Sequence, residues 1–278
     1  MDLFTLFKGA KIINLEKTYF EQKSCFEKLF KIQNEVINCT NKFIRINAME
    51  CEYISPTCMI ILSSVGLIAK EKSKDIKIIF KKDTKFHKFL VEKGFIELPG
   101  NNGCDKNYIP LNTLTKEEEI IPIISDLIKL SPLNKLNEKD KDYIKSRLYE
   151  IPINSLNHSM SSSGILYCGY YRKKSEFYFS IYDNGIGIPN SVRNYKNDNT
   201  ISSYEALKWA LESGNSTKQN EFARGIGFSL LEEFRVLYKG KITIISEDVI
   251  YESTTKGTTI KNLINKVPGT LFTFKIMI

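Results

Sequence analysis

Glu150, Asn154 and His158 recur at four-residue intervals in a segment with helical character. Residues four apart on a helix share a face, so a carboxylate, an amide oxygen and an imidazole converge on one small volume. A carboxylate in such a place can take a proton from water or from a hydroxyl. An amide oxygen is a ligand for a hard cation such as Mg2+. About twenty-five residues on, Asp183-Asn184-Gly185-Ile186-Gly187 follows an alternating stretch. Glycines at that spacing let another molecule approach the backbone closely. A nucleotide site is the economical reading.

The elements that must carry these residues can be read from periodicity. Asn137-Glu138-Lys139-Asp140 opens a long helix that runs through His158. Phe177, Phe179 and Ile181 alternate with Tyr178, Ser180 and Tyr182, the period-two pattern of a strand. With 165–171 it frames a hairpin turned at Lys173-Lys174-Ser175. Residues 189–203 and 213–224 are polar and read as loop, with a helix over 204–212 between them. Gly225-Ile226-Gly227 opens an apolar helix to Tyr238, and 242–245, 249–251 and 271–276 supply closing strands. Pro152 falls inside the 150–158 block, so either Glu150 lies at the helix start or the helix bends there.

The order of blocks is more telling than any one of them. Glu150-x-x-x-Asn154-x-x-x-His158 is followed by Asp183-x-Gly185-x-Gly187, then Gly214-Asn215-Ser216-Thr217-Lys218, then Gly225-Ile226-Gly227, then Gly269-Thr270. Over 137–278 this resembles the GHKL ATPase superfamily, which includes DNA gyrase B, MutL, sensor histidine kinases and anti-sigma-factor kinases. The Glu150 to His158 block is most similar to the anti-sigma-kinase branch. The resemblance implies a Bergerat fold, a layered α/β sandwich holding ATP and Mg2+ between helices and a mixed sheet. It implies that Asn154 binds Mg2+, that Asp183 accepts a hydrogen bond from the adenine amino group, and that Gly185 and Gly187 form the turn beneath the nucleotide. It further implies that Gly225 and Gly227 form the phosphate loop at a helix N-terminus, that Thr270 lies near adenine, with Gly257-Thr258 a rival whose setting is more like a β-turn, and that Lys218 reaches phosphate, while Arg224 either does the same or lies on the surface. Glu150 corresponds to the general base, which activates water in an ATPase or a protein hydroxyl in a kinase.

The first half has a simpler texture. A strand at 43–46, Tyr53-Ile54-Ser55-Pro56-Thr57, and then an apolar helix from Met59 alternate with a strand over 76–80 and a short helix over 86–91. Ser55 caps and Pro56 starts the apolar helix. This resembles a STAS domain, in which a serine at the helix start is phosphorylated; here Ser55 and Thr57 are the local hydroxyls. The expected organisation is α/β (α+β) in two domains: a STAS-like unit over 1–112, a helical linker over 113–136 and the ATP-binding unit over 137–278.

Bulk properties narrow the function classes. The formal charge is +8, but lysine is spread along the 278 residues beside Glu and Asp, with no basic stripe, so nucleic acid is not the expected partner. No apolar run reaches the roughly 20 residues needed to span a bilayer. Six scattered cysteines form no Cys-x-x-Cys pair, which fits reduced thiols and a cytoplasmic setting. Expected partners are a regulatory or substrate protein, with a homodimer left open. The leading expectation is an ATP- and Mg2+-dependent switch that orders a lid over 189–224 and hydrolyses ATP. The alternatives are a protein serine/threonine kinase and a non-catalytic ATP-sensing module.

Overall fold

A computed structural model describes residues 9–96, 108–130, 133–158, 164–171, 175–212, 214–217, 232–233 and 235–277, with the backbone alone at 154–158. Chain contacts divide it into two units, 1–101 and 102–278. The split falls within the Pro/Gly/Asn-rich sequence 99–103, ahead of the boundary expected near 112.

The first unit carries a parallel sheet of β1 (Lys11–Asn14), β3 (Phe43–Asn47) and β5 (Asp75–Ile79), with β3 central. A short parallel pair, β2 (Thr18–Tyr19) with β4 (Tyr53–Ile54), flanks β3 of this sheet in sequence. Helix α1 (Lys23–Asn38) buries Phe26, Leu29, Gln33 and Val36, spaced three or four apart, with Phe30 beside them. Helix α2 (Pro56–Glu71) is apolar enough to be buried along most of its length. Ser55 caps it by accepting from Cys58 N–H, with Pro56 in the first turn, as the sequence indicated. The Thr57 hydroxyl is buried and donates to Glu21 Oε1 at 2.6 Å. Helix α3 (Lys85–Glu92) completes the unit.

The second unit is a five-stranded sheet in the order β6-β7-β8-β10-β9. Its strands are β6 (Tyr108–Leu114), β7 (Gly164–Tyr171), β8 (Glu176–Asp183), β9 (Lys241–Thr254) and β10 (Gly257–Met277). Every pairing is antiparallel, where the resemblance implied a mixed sheet. The boundary expected at 112 falls inside β6, which pairs with β7 and so belongs to this sheet. The expected linker is core as well. Helix α4 (Ile120–Lys129) sets Ile120, Ile124, Leu127 and Ile128 into the same apolar cluster as Phe179 and Phe274.

Helix α5 (Glu138–His158) packs Ile144, Leu148 and Ile151 onto that cluster at i, i+4, i+7 spacing. Asn137 begins it by accepting from Asp140 N–H at 2.9 Å. The helix continues through Pro152. Glu150 therefore lies well inside it, not at its start, because burial of the apolar stripe outweighs the lost backbone bond.

The largest departure lies at 189–203, expected as loop. Most of it is helix α6 (Gly187–Lys196), followed by α7 (Ser203–Leu211). The segment is polar overall, but Ile188, Val192 and Tyr195 recur at helical spacing and Val192 is buried. Two packed helices thus occupy the front of the segment expected as a lid. Helix α7 starts with a reciprocal cap between Ser202 and Glu205.

A second irregularity shapes β9. Lys241 Nζ and Glu252 Oε1 are 2.5 Å apart although eleven residues separate them. A straight strand of that length spans about 36 Å. The strand therefore folds back, and Glu247, with φ +54°, marks the reversal. Arg193 of α6 anchors this corner, donating to Glu247 Oε2 (2.7 Å), to Asn190 Oδ1 (2.8 Å) and to the carbonyl of Ile201 (2.7 Å). Ser203 and Lys266 donate to the same Glu247 carboxylate. Burial alone would raise the Glu247 pKa. Hydrogen bonds from Lys266, Ser203 and Arg193 outweigh it and hold the group at about 2, down from 4.5.

A carboxyl whose folded pKa is depressed contributes stability above its unfolded value and loses it as pH falls through the folded one. The Glu247 contribution is thus complete above pH 4.5 and disappears toward pH 2. Glu247→Gln is expected to destabilise the second unit by about 3 kcal/mol at neutral pH. Urea unfolding of both proteins at pH 7 and at pH 2.5 checks this: the gap between them should shrink at the lower pH.

Candidate functional site

Strand alternation decides which side chains reach the helix side of the sheet. Phe177, Phe179 and Ile181 of β8 enter the apolar cluster, so Asp183 ends the same row. On β10, Phe272, Phe274 and Ile276 enter it, so Thr270 ends that row; on β9, Ile242 and Ile244 lead to Ser246. The register places Thr270 opposite Asp183 on one side and opposite Ser246 on the other. Gly164 of β7 is opposite Asp183 from the far side. One polar row, Asp183–Thr270–Ser246, therefore crosses three adjacent strands at the rim of an apolar face. Asp183 is 3% exposed and Ser246 is fully buried, while Thr270 is half-buried.

Short backbone approaches hold the row together. Gly185 N–H donates to Asp183 Oδ1 at 3.0 Å, a local turn that orients the carboxylate. Gly269 has φ +73°, and a Cβ there would lie 1.9 Å from the carbonyl oxygen of Asp183. Gly187 has φ +78°, and a Cβ there would meet Ser246 Oγ at 2.8 Å. Both positions require glycine, for conformation and for space. Ser246 knits two strands and a helix. Its Oγ accepts from Ile188 N–H (2.9 Å), donates to the Gly269 carbonyl (3.0 Å) and lies 3.1 Å from Thr270 Oγ1. The Ile188 contact satisfies a first-turn amide of α6, whose N-cap Ile186 has no side-chain oxygen to offer.

Glu150 lies about 100° of helix rotation from the buried Ile151 and is half-buried. By backbone position Asn154 and His158 follow one and two turns further along α5. Their side chains lie outside the described residues, as do Lys218, Arg224, Gly225 and Gly227. After α7, Gly214 turns at φ +90°, Asn215 Nδ2 donates to the Trp209 carbonyl at 2.8 Å, and Ser191 donates to Thr217 Oγ1 at 3.3 Å. The residues leading toward Lys218 are thereby tied to α6 and α7.

The structure brings together Asp183, Gly185, Gly187 and Thr270 from two separate sequence blocks. Sequence reasoning missed Ser246 and the Arg193–Glu247 corner. Ser246 was within reach: continuing the alternation of Ile242 and Ile244 by one step places it on the same face. The Arg193–Glu247 pair joins residues 54 apart and left no local signal.

Residues 139–275, from α5 through β10, match the family described as histidine kinase-, DNA gyrase B- and HSP90-like ATPase. No curated protein matches the chain. That segment is therefore a GHKL-type ATPase domain, a class that binds ATP, usually with Mg2+.

Gly269→Ala and Gly214→Ala separate close approach from conformation. The Cβ at 214 meets open space and carries only the positive-φ strain, about 1 kcal/mol. At 269 the clash with Asp183 adds to that strain, and a loss of about 4 kcal/mol or more is expected. Chemical denaturation of the two variants measures the difference.

Proposed function

We propose that residues 139–275 bind ATP with Mg2+ against the Asp183–Thr270–Ser246 row and hydrolyse it, with Glu150 as general base. The observation that carries this reading is the row itself, built over three strands inside a segment that matches an ATPase family. A carboxylate fixed by Gly185 N–H suits an amino group of a purine, which donates two hydrogens, and disfavours a carbonyl. Gly187 and Gly269 let the backbone close up around the row and hold it in place.

In this reading Asn154 would hold Mg2+, whose part is to neutralise phosphate charge. Glu150 lies one helical turn before Asn154, so on binding its carboxylate accepts the proton of the attacking water. His158 continues that face. From the sequence alone, Gly225 and Gly227 are expected to form the phosphate loop, where backbone amides would receive phosphate and Lys218 and Arg224 would add charge.

The regulatory part of the reading rests on the first unit. Its parallel sheet and the capped, buried α2 support a STAS-like interaction domain. The buried, hydrogen-bonded hydroxyls of Ser55 and Thr57 support a capping role over phosphorylation. ATP would act as a switch by binding two states of the segment after α7 with different affinity, changing contacts with a regulatory or substrate protein or with a second copy. Free cysteines at positions 25, 39, 51, 58 and 168 support a reducing, cytoplasmic setting.

Calorimetric titration with Mg-ATP, beside phosphate release, tests the proposal on wild type, Glu150→Ala and Asp183→Ala. The expected result is binding lost only in Asp183→Ala, at least about a hundredfold, with turnover lost in both. Binding without phosphate release in wild type would replace hydrolysis with a sensing or protein-kinase role, separated by whether phosphate appears on a protein hydroxyl. Absence of ATP binding in wild type would overturn the reading.

A further inference from the structure

We infer that Ser246 is a positioning residue for purine discrimination: it fixes which way the Thr270 hydroxyl points its proton. This rests on the adenine-nucleotide reading of the same site and adds a residue to it.

The argument is a count of protons. A serine hydroxyl has one proton to donate and two lone pairs to accept with. The Gly269 carbonyl can only accept, and at 3.0 Å it takes the Ser246 proton. Ile188 N–H can only donate, and at 2.9 Å it takes one Ser246 lone pair. Thr270 Oγ1, at 3.1 Å, then meets a serine oxygen with no proton left. Thr270 must donate to Ser246.

The consequence reaches the binding face. Thr270 is half-buried and directly opposite Asp183. With its proton committed to Ser246, Thr270 turns only lone pairs toward a ligand. The Asp183 carboxylate beside it also accepts. The rim then offers two neighbouring acceptors, which match the two hydrogens of a purine 6-amino group and repel a 6-carbonyl. A threonine free to rotate would instead bond either group. Ser246 is fully buried, so its effect is transmitted through Thr270 and not by contact with the ligand.

The test is the ratio of affinities for ATP and inosine triphosphate, which carries a carbonyl in place of the amino group. Titration calorimetry would be run on wild type, Ser246→Ala, Thr270→Val and the double variant, with thermal melting to establish folding. Wild type is expected to prefer ATP. In Ser246→Ala the preference is expected to fall about tenfold, the size of one hydrogen bond, because Thr270 can then turn its proton outward. Thr270→Val, which keeps the Ser246 bonds to Ile188 and Gly269, is expected to lose the preference to a similar extent. The double variant is expected to match Thr270→Val, since the serine acts through the threonine.

A Ser246→Ala protein that binds both nucleotides more weakly with an unchanged ratio would overturn the inference, showing a structural role alone. So would a double variant that loses further discrimination. If Ser246→Ala does not fold, an unchanged ratio in Thr270→Val overturns it as well. Failure of wild type to bind ATP is a separate result and removes the proposed function instead.

Discussion

β10 runs against β8 with Gly269 pressed onto the Asp183–Asn184 backbone, closer than any side chain would permit. This contact sets the register that puts Thr270 opposite Asp183, and the same strand puts Thr270 opposite Ser246 on its other edge. Everything in the site is referenced to that register. A slip of one residue would turn Asp183 and Thr270 to opposite faces of the sheet. The apolar rows behind them resist such a slip, because Phe179, Phe272 and Phe274 would have to leave the core together.

The helices serve the same geometry from above. Helix α5 is held by Ile144, Leu148 and Ile151, which fixes its rotation and therefore the side from which Glu150 and the two turns beyond it approach the sheet. Helix α6 is held at its start by Ser246 and further along by Arg193 on Glu247. The Glu247 carboxylate carries several charged or polar donors, which offsets the cost of removing it from water. It also sits where β9 reverses, so one side chain fixes a helix and a strand corner at once.

This arrangement narrows what can move. The segment 189–211 was expected to belong to a nucleotide-ordered lid with a single helix from 204, yet it is two packed helices with buried residues. The ties from Asn215 to Trp209 and from Ser191 to Thr217 carry that rigidity four residues beyond Ser213.

Much of the site was legible in the sequence because its residues are locally constrained. Asp183-x-Gly185-x-Gly187 is a turn with its own hydrogen bond, and the Glu150, Asn154, His158 spacing follows from helix geometry alone. The alternation of Phe177, Phe179 and Ile181, continued by one step, is the row that Asp183 ends. Other features were decided only by tertiary structure. The continuity of α5 through Pro152 depends on burial of its apolar stripe, which local rules for proline do not contain. The inclusion of β6 and α4 in the second unit depends on pairing and packing partners distant in sequence. The helical state of 187–196 depends on Val192 finding a core to enter. The role of Ser246 depends on three groups from two other elements, α6 and β10, meeting one oxygen. Residue type and spacing specify which groups are available and which face of their own element they occupy. Which of them meet is set by long-range pairing, whose energy no local stretch of sequence carries.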